Sequence, residues 1–187
     1  VAVGDHILLG GDNMDLALAY RLKMKLAQEG KQLQPWQIQV MTHACRDAKE
    51  ALLNDSELRA VPIVVPSRGS KLLGGTLQTE LTQEEVQQTL VEGFFPVVSV
   101  TEHPVQSARG ALTQMGLPYA QDAAVTRHLA SFLTRQQAAT DEVFGQQNES
   151  DFIKPTAILL NGGVLKSNLL AERLLGIIND WLIDSEA

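Results

Sequence analysis

Two adjacent glycines precede an acidic stretch near the start of the chain. The run is Leu9-Gly10-Gly11-Asp12, and Asp15 follows three residues later. Glycines before a helix let backbone amides approach an anion closely, and the positive end of the helix dipole favours negative charge there. A plain turn followed by an aspartate cap fits the same residues, because one glycine pair is a weak signal. Gly10 and Gly11 are therefore candidate ligand-binding residues, with the plain turn as the alternative.

A second group of polar residues lies in the segment Cys45-Arg46-Asp47-Ala48-Lys49-Glu50. On a helix, Arg46, Lys49 and Glu50 are three or four residues apart and project together. Such a face has the donors and acceptor needed to bind a ribose hydroxyl or a purine edge. The alternative is a solvated helix face with internal ion pairs, which contribute only tenths of a kcal/mol each.

The third candidate is a glycine turn in Leu160-Asn161-Gly162-Gly163-Val164-Leu165-Lys166. Its glycines and lysine do not have the spacing of a Walker loop. Gly162 and Gly163 suit a close backbone approach to a flat adenine or to a phosphate, with Lys166 nearby. A tight turn between a strand and a helix is the alternative.

The remaining reactive side chains do not form a recognisable catalytic or metal set. Cys45 has no obvious base beside it, so a nucleophilic role is not predicted. The aspartates near the first helix are read as helix caps rather than as metal ligands. The histidines are scattered, without zinc-ligand spacing, at His6, His43, His103 and His128. We predict no catalytic residue and no metal site within this chain.

Two amphipathic helices position the first two groups. The first begins at Asp12–Asn13, is ended by Gly30, and has an apolar stripe with a period of four. The second begins at Pro35 and ends near Asn54. The predicted inward residues are Met14, Leu18, Leu22 and Leu26 in the first helix, and Trp36, Val40, Ala44, Ala48 and Leu52 in the second.

The middle of the chain changes to strand periodicity. Residues 61–65 are β-branched and interrupted by proline, which predicts a short or edge strand. Residues 76–81 alternate apolar and polar side chains, which predicts a half-buried strand. Thr82 and Glu85 then form a capping box, and a helix should continue to about Glu92.

The last third contains the elements around the third group. We predict a loop with a short helix over 101–122, a longer helix from Asp122, and a polar surface loop over 145–151. Residues 157–160 are predicted to form a buried strand before the glycine turn, and Ser167 to cap the final helix. The predicted inward residues are Val125, Leu129, Phe132 and Leu133 in the longer helix, and Leu170, Leu174, Ile177, Ile178, Trp181 and Leu182 in the final one.

Composition limits the class of protein. The chain has 187 residues and a net charge of −7 with dispersed acids, which argues against nucleic-acid binding. Cys45 is the only cysteine, so an internal disulfide is impossible and a reducing, cytoplasmic location is expected. No apolar run is long enough for a membrane span or signal peptide, so no membrane partner is expected.

The order of the three motifs resembles the second half of the nucleotide-binding domain of the heat-shock-70 (DnaK-like) chaperones. The run Gly4–Asp15 resembles that family's Gly-Asp and Leu-Gly-Gly-acid-x-x-Asp segment. Residues 44–49 resemble its Cys-x-x-Ala-Lys helix, and Leu159–Gly163 its late strand and double-glycine turn. The resemblance spans nearly the whole chain.

This resemblance implies part of an actin-like (ribonuclease H-like) α/β ATPase fold. Residues 30–130 would form an outer lobe with a small antiparallel sheet, and 1–29 and 151–187 would be pieces of the inner lobe. Residues 101–150 would be a divergent insert. The nucleotide of the parent ATPase, ATP or ADP bound there with Mg²⁺, would contact Gly10, Gly11, Arg46, Lys49, Glu50, Gly162, Gly163 and Lys166, and no metal ligand is expected in this chain.

The resemblance also implies that the chain is a fragment. It begins on Val1 without an initiator Met, and the family's first phosphate loop, catalytic lysine and Asp-x-Gly-Gly-Gly-Thr segment would precede it. This chain is therefore expected to form one wall of the nucleotide cleft. It should neither hydrolyse ATP nor bind nucleotide tightly by itself. A co-chaperone or exchange factor would contact the outer lobe.

Departures from the family pattern leave two alternatives open. The family usually has an acid in place of Arg46, a basic residue in place of Glu50 and a small hydroxyl residue in place of Leu53, and it differs again at Val164 and Lys166. One alternative is another actin-like ATPase or a sugar kinase. The other is a protein-binding module that no longer hydrolyses nucleotide.

Overall fold

The structure is a computed structural model that describes residues 2–4, 7–67, 76–105, 122–144 and 151–184. Within these ranges the fold is mixed α/β, with helices and a small antiparallel sheet, as the sequence predicts. The elements are α1 (Gly11–Gln28), α2 (Pro35–Asn54), β1 (Ala60–Val65), β2 (Leu77–Thr82), α3 (Gln83–Val86), a π-helical segment (Gln87–Val91), α4 (Glu92–Phe94), α5 (Val125–Phe144), a 3₁₀ turn (Val164–Lys166) and α6 (Asn168–Asp184).

The chain divides into two compact units. Residues Gly10–Leu90 form one, here called the central unit. Val1–Leu9 and Val91–Ala187 form the other, here called the terminal unit. The division into an outer lobe (30–130) and inner-lobe pieces (1–29 and 151–187) stays a prediction. The loop predicted over 101–122 and the polar loop over 145–151 lie largely outside the described residues.

In the central unit, α1 packs against α2, and α2 packs against the sheet. The stripe predicted for α1 is confirmed, because Met14, Leu18, Leu22 and Leu26 are all buried. Gly30 follows the helix end with φ +77°, a conformation that glycine adopts without strain. The apolar periodicity of α1 therefore fixes which of its faces packs on α2.

The inward face predicted for α2 is wrong in part. Trp36, Val40 and Ala44 are only half-buried, although Ala48 and Leu52 are buried as predicted. Each step of four residues advances about 40° beyond a full turn, so a strict period of four drifts off the buried side. The observed core face of α2 alternates steps of three and four, through Ile38, Met41, Cys45, Ala48 and Leu52.

Strands β1 and β2 form an antiparallel pair with Ala60 opposite Thr82 and Val65 opposite Leu77. Among the described residues each strand has one neighbour, so both are edge strands, where a proline such as Pro62 in β1 is tolerated. The predicted capping box after β2 is present: Glu85 donates its backbone N–H to Thr82 Oγ1, and Thr82 N–H donates to Glu85 Oε2. Helical structure then continues through the π segment to Phe94.

In the terminal unit, residues 95–100 belong to neither a helix nor a strand, and their carbonyls accept hydrogen bonds from both α5 and α6. Thr126 and Thr134 of α5 donate hydrogen bonds to the carbonyls of Pro96 and Val100. From α6, Arg173 Nε donates to Phe95 O at 2.9 Å, and Trp181 Nε1 donates to Val98 O at 2.7 Å. These side-chain donors pair with backbone carbonyls that have no partner within a helix or strand.

The predicted core face of α6 is largely confirmed, whereas that of α5 is mostly wrong, because Val125 is only half-buried. In α6 the predicted core face is buried, except that Leu182 is half-buried. In α5 Leu133 is buried, but Leu129 and Phe132 are half-buried, and Ala130 lies between them in the core. The buried face of α5 therefore includes the small residues Thr126 and Ala130, which its apolar periodicity does not single out.

The buried strand predicted over 157–160 is wrong. The described structure has no strand there, and Leu159 is 91% exposed. An apolar run indicates a buried strand only when a neighbouring strand pairs with its backbone and covers its side chains. Among the described residues, none pairs with this run.

Candidate functional site

The glycine pair lies at the beginning of α1. Gly10 is the N-cap residue, and its N–H donates a 2.7 Å hydrogen bond to Oδ1 of the buried Asn13. The backbone of Gly10 is extended, so its conformation does not itself require glycine. A Cβ at Gly10 would meet nothing within 4 Å. The surface beside this turn is therefore open to a close approach by a ligand.

A buried carboxylate lies one turn further along α1. Asp15 is 1% exposed, and its Oδ1 lies 2.6 Å from Lys49 Nζ. Its Oδ2 accepts a 3.0 Å hydrogen bond from Arg46 Nε. A second carboxylate, Asp12, pairs with Arg46 Nη2. Both cations of α2 are thus paired with acids of α1.

Lys49 joins the ion-pair cluster to the glycine turn. Its Nζ lies 3.5 Å from Gly11 O, and its side chain is largely buried. Ala48 and Cys45, on the core face of α2, hold the helix against α1 and place Lys49 at this position. The structure therefore brings together Gly11 and Lys49, which are far apart in the sequence.

The cluster contains two cations and three carboxylates, and one of these carboxylates is exposed and unpaired among the described residues. The hydrogen bond to Asp15 raises the pKa of Arg46 above its ordinary value, so this guanidinium stays charged. Glu50 is exposed and has no ion-pair partner among the described residues. Arg46 and Lys49 face the three carboxylates Asp12, Asp15 and Glu50, which leaves a small negative excess.

The thiol beside the cluster is unreactive. Cys45 is fully buried. Burial, followed by the charge of Asp15, raises its pKa to about 12. A thiol with this pKa is almost entirely protonated at neutral pH, so it lacks the thiolate that nucleophilic or redox chemistry needs.

The predicted residues of the glycine turn lie in the terminal unit. Gly162 has φ +94°, and its N–H donates to Asn161 Oδ1 at 2.8 Å. Gly163 is exposed, with open space where a Cβ would be. Lys166 is exposed and forms no ion pair with another described residue. The predicted tight turn is confirmed, and its backbone is accessible.

Ser167 occupies the predicted N-cap position of α6, and its carbonyl accepts from the Ala171 N–H at 3.0 Å. Its hydroxyl, however, is buried and has no hydrogen-bond partner among the described residues. The serine therefore marks the helix start without the usual side-chain cap.

Sequence reasoning missed Asp15, which it interpreted as a helix cap. The sequence does contain a signal, because Asp15 precedes Leu18, Leu22 and Leu26 by 3, 7 and 11 residues. These spacings place the carboxylate on the apolar face of α1. A charged residue on such a face requires a partner from another element.

Ion pairs within α2 were the alternative for Arg46 and Lys49. The observed pairs instead cross from α2 to α1, where the partners are more buried.

Among the described residues, no group of three or more His, Cys, Asp or Glu side chains has an arrangement that suits a metal ion. In the same ranges, every helix is too short or too polar to cross a membrane.

Comparisons with protein-family models, curated proteins and solved structures found no match to this chain.

Proposed function

We propose that this chain is part of the ATP-binding domain of a chaperone-like protein of the heat-shock-70 type. In this proposal it forms one wall of the nucleotide cleft and depends on further segments of the protein for hydrolysis. The finer fold is a partial actin-like ATPase fold, consistent with its helices and small antiparallel sheet.

One observation carries the proposal. Lys49 Nζ lies 3.5 Å from Gly11 O, so two motifs taken from distant parts of the sequence share one location. A helix N-terminus beside polar donors and an exposed carboxylate offers suitable groups for a sugar and its phosphates. In this site Glu50 would accept from a ribose hydroxyl, and the first turn of α1 would face the phosphates.

The accessible turn of the terminal unit supports the same proposal. The backbone of Gly162 and Gly163 is exposed, and Lys166 forms no ion pair with another described residue. A flat adenine can approach the backbone closely only where no side chain lies between them, as at glycine. In the proposed domain this turn would contact the base.

The proposal is tested by titration calorimetry with MgADP. The protein is the complete natural domain that contains this sequence, as wild type and as Gly163→Val. Because a Cβ at Gly163 meets nothing within 4 Å, the valine should not disturb folding but should fill space required by adenine. We expect the Kd to rise by about tenfold or more, the effect of losing a close stacking contact.

Gly176→Ala is the matched control, because Gly176 also has open space around its Cβ position and lies within α6, outside the turn. Its affinity should equal that of the wild type. The proposal fails if the wild-type domain does not bind MgADP, or if Gly163→Val binds it as tightly as the wild type does.

A second candidate, a protein-binding module that no longer uses nucleotide, is favoured by the ion pairs themselves. Asp15 is already ion-paired with both Arg46 and Lys49, so neither cation is free for a phosphate. Absence of MgADP binding by a folded wild-type domain would support this candidate. Folding is checked in that sample by a cooperative thermal transition.

A further inference from the structure

The terminal unit contains a cleft whose charged lining residues, among those described, are all acidic. Its volume is about 630 Å³, and it lies between residues 97–102, Asp151–Phe152 and the C-terminal half of α6. This size falls within the range of protein ligand pockets, about 300–1,000 Å³. It shares no residue with the site proposed for nucleotide.

Buried side chains and hydrogen bonds hold the floor of the cleft in place. Phe152, Ile177 and Trp181 are buried beneath it. The indole N–H of Trp181 donates to Val98 O at 2.7 Å, which connects α6 to the segment 95–100. A hydrogen bond from Ile153 N–H to Leu133 O holds the adjoining strip of chain against α5. The groove is therefore present before a ligand arrives.

Two apolar side chains border the cleft and face solvent. Val97 is 63% exposed and Ile183 is 66% exposed, although both sit beside a well-packed core. Exposed apolar groups beside a concave surface are typical of a contact that a partner completes. They offer a place for one apolar side chain of that partner.

The charge of the cleft selects the partner. Among the described residues that line it, the charged ones are all acids. Glu102 is already paired with Arg127 at 3.1 Å. By contrast, Asp151, Asp180 and Asp184 are exposed and have no cation within ion-pair distance in the described part of the chain.

The position of two of these aspartates strengthens the argument. Asp180 and Asp184 are four residues apart near the C-terminus of α6, and the last turn has no basic residue. Like charges at this spacing repel each other, and the negative end of the helix dipole disfavours both. A cationic ligand would relieve both repulsions at once.

We propose that this cleft binds a basic segment of a partner protein. Lysine or arginine side chains of that segment would pair with Asp151, Asp180 and Asp184. An apolar side chain between them would lie against Val97 and Ile183. A second copy of the chain is a poor occupant, because each copy has a net charge of −7.

The experiment measures fluorescence anisotropy of labelled hexapeptides titrated with the 187-residue chain. The probe is acetyl-Lys-Leu-Lys-Lys-Leu-Lys-amide. One comparison peptide has glutamate in place of each lysine, and another has glycine in place of each leucine. We expect saturable binding of the first peptide, weaker binding of the glycine peptide and no binding of the glutamate peptide.

The double variant Asp180→Asn, Asp184→Asn removes two charges without changing side-chain shape, and should weaken binding about tenfold. The matched control is Glu57→Gln, Glu172→Gln, which removes two exposed carboxylates that do not line the cleft. Its affinity should stay within about twofold of the wild type, since distant surface charges are screened.

Three results would overturn the proposal. The first is equal weakening by both double variants, which would indicate attraction to net charge alone. The second is equal binding of the leucine and glycine peptides, which would leave a cation site without an apolar contact. The third is concentration-dependent dimerisation that the asparagine variant abolishes, which would make a second copy the occupant.

Discussion

The Nζ atom of Lys49 lies 2.6 Å from Oδ1 of Asp15, and both side chains are buried. This pair joins α2 to α1 at the point where α1 begins. A buried pair of this kind adds little net stability by itself, but either partner alone would be a costly buried charge. The candidate site therefore depends on a contact that also orders the two helices.

Lys49→Met should destabilise the central unit because the buried Asp15 loses its closest cation. Arg46 still pairs with Asp15, so we expect a loss of about 3 kcal/mol, the lower end for breaking a buried pair. Urea unfolding followed by circular dichroism measures the change. Lys154→Met, at an exposed lysine, is the control and should stay within about 0.5 kcal/mol of the wild type.

The thiol of Cys45 should not react with Ellman's reagent in the folded protein at pH 8. Burial raises its pKa to about 12, so the thiolate fraction is on the order of 10⁻⁴ at that pH. In denaturant the same thiol should react completely within minutes. Rapid reaction without denaturant would contradict the burial of Cys45.

The Cys45 pKa also predicts a loss of stability at high pH. The folded-state pKa of Cys45 is raised above its ordinary value of 9.0, so the stabilising contribution is complete below about pH 9. It declines as pH rises towards 12, because the unfolded chain loses its proton first. Cys45→Ala should flatten this part of the pH profile.

Glu85 should make stability depend on pH at the acid end. Burial acts to raise its pKa, but hydrogen bonds from Thr82 and the pair with Lys25 outweigh burial, so the pKa is lowered. Stability from this group is present above its unfolded value of 4.5 and declines as pH falls through the folded value.

Glu85→Gln should therefore reduce the slope of unfolding free energy against pH below about 4.5. Thermal unfolding recorded from pH 7 to pH 3 measures that slope. Glu172→Gln, at an exposed glutamate on α6, is the control and should retain the wild-type slope. An unchanged slope in the Glu85 variant would show that another carboxylate governs the acid transition.

Two glycines should respond oppositely to alanine. Gly176 lies in α6 with open space around its Cβ position, so Gly176→Ala should stabilise the protein by about 0.5–1 kcal/mol. Gly162 has φ +94°, so Gly162→Ala should destabilise it by about 1 kcal/mol through backbone strain. Differential scanning calorimetry compares the two, and equal shifts would contradict the turn geometry.

Features that depend on neighbouring residues were predictable. The predicted stripe of α1 and capping box of Thr82 and Glu85 are confirmed, as is the core face of α6 apart from Leu182. Each follows from helix periodicity or from a hydrogen bond that closes within one turn. The glycine turn at Gly162 belongs to the same class, since its left-handed backbone requires glycine locally.

Features that depend on distant residues needed the tertiary structure. The sequence contains both Asp15 and Lys49, but only the packing of α2 on α1 makes them partners. The apolar run at 157–160 was predicted to be buried, and Leu159 is exposed because no described residue pairs with or covers it. Local periodicity determines which side of an element is apolar. Whether that side is covered, and by which charge or strand, depends on elements that the periodicity does not specify.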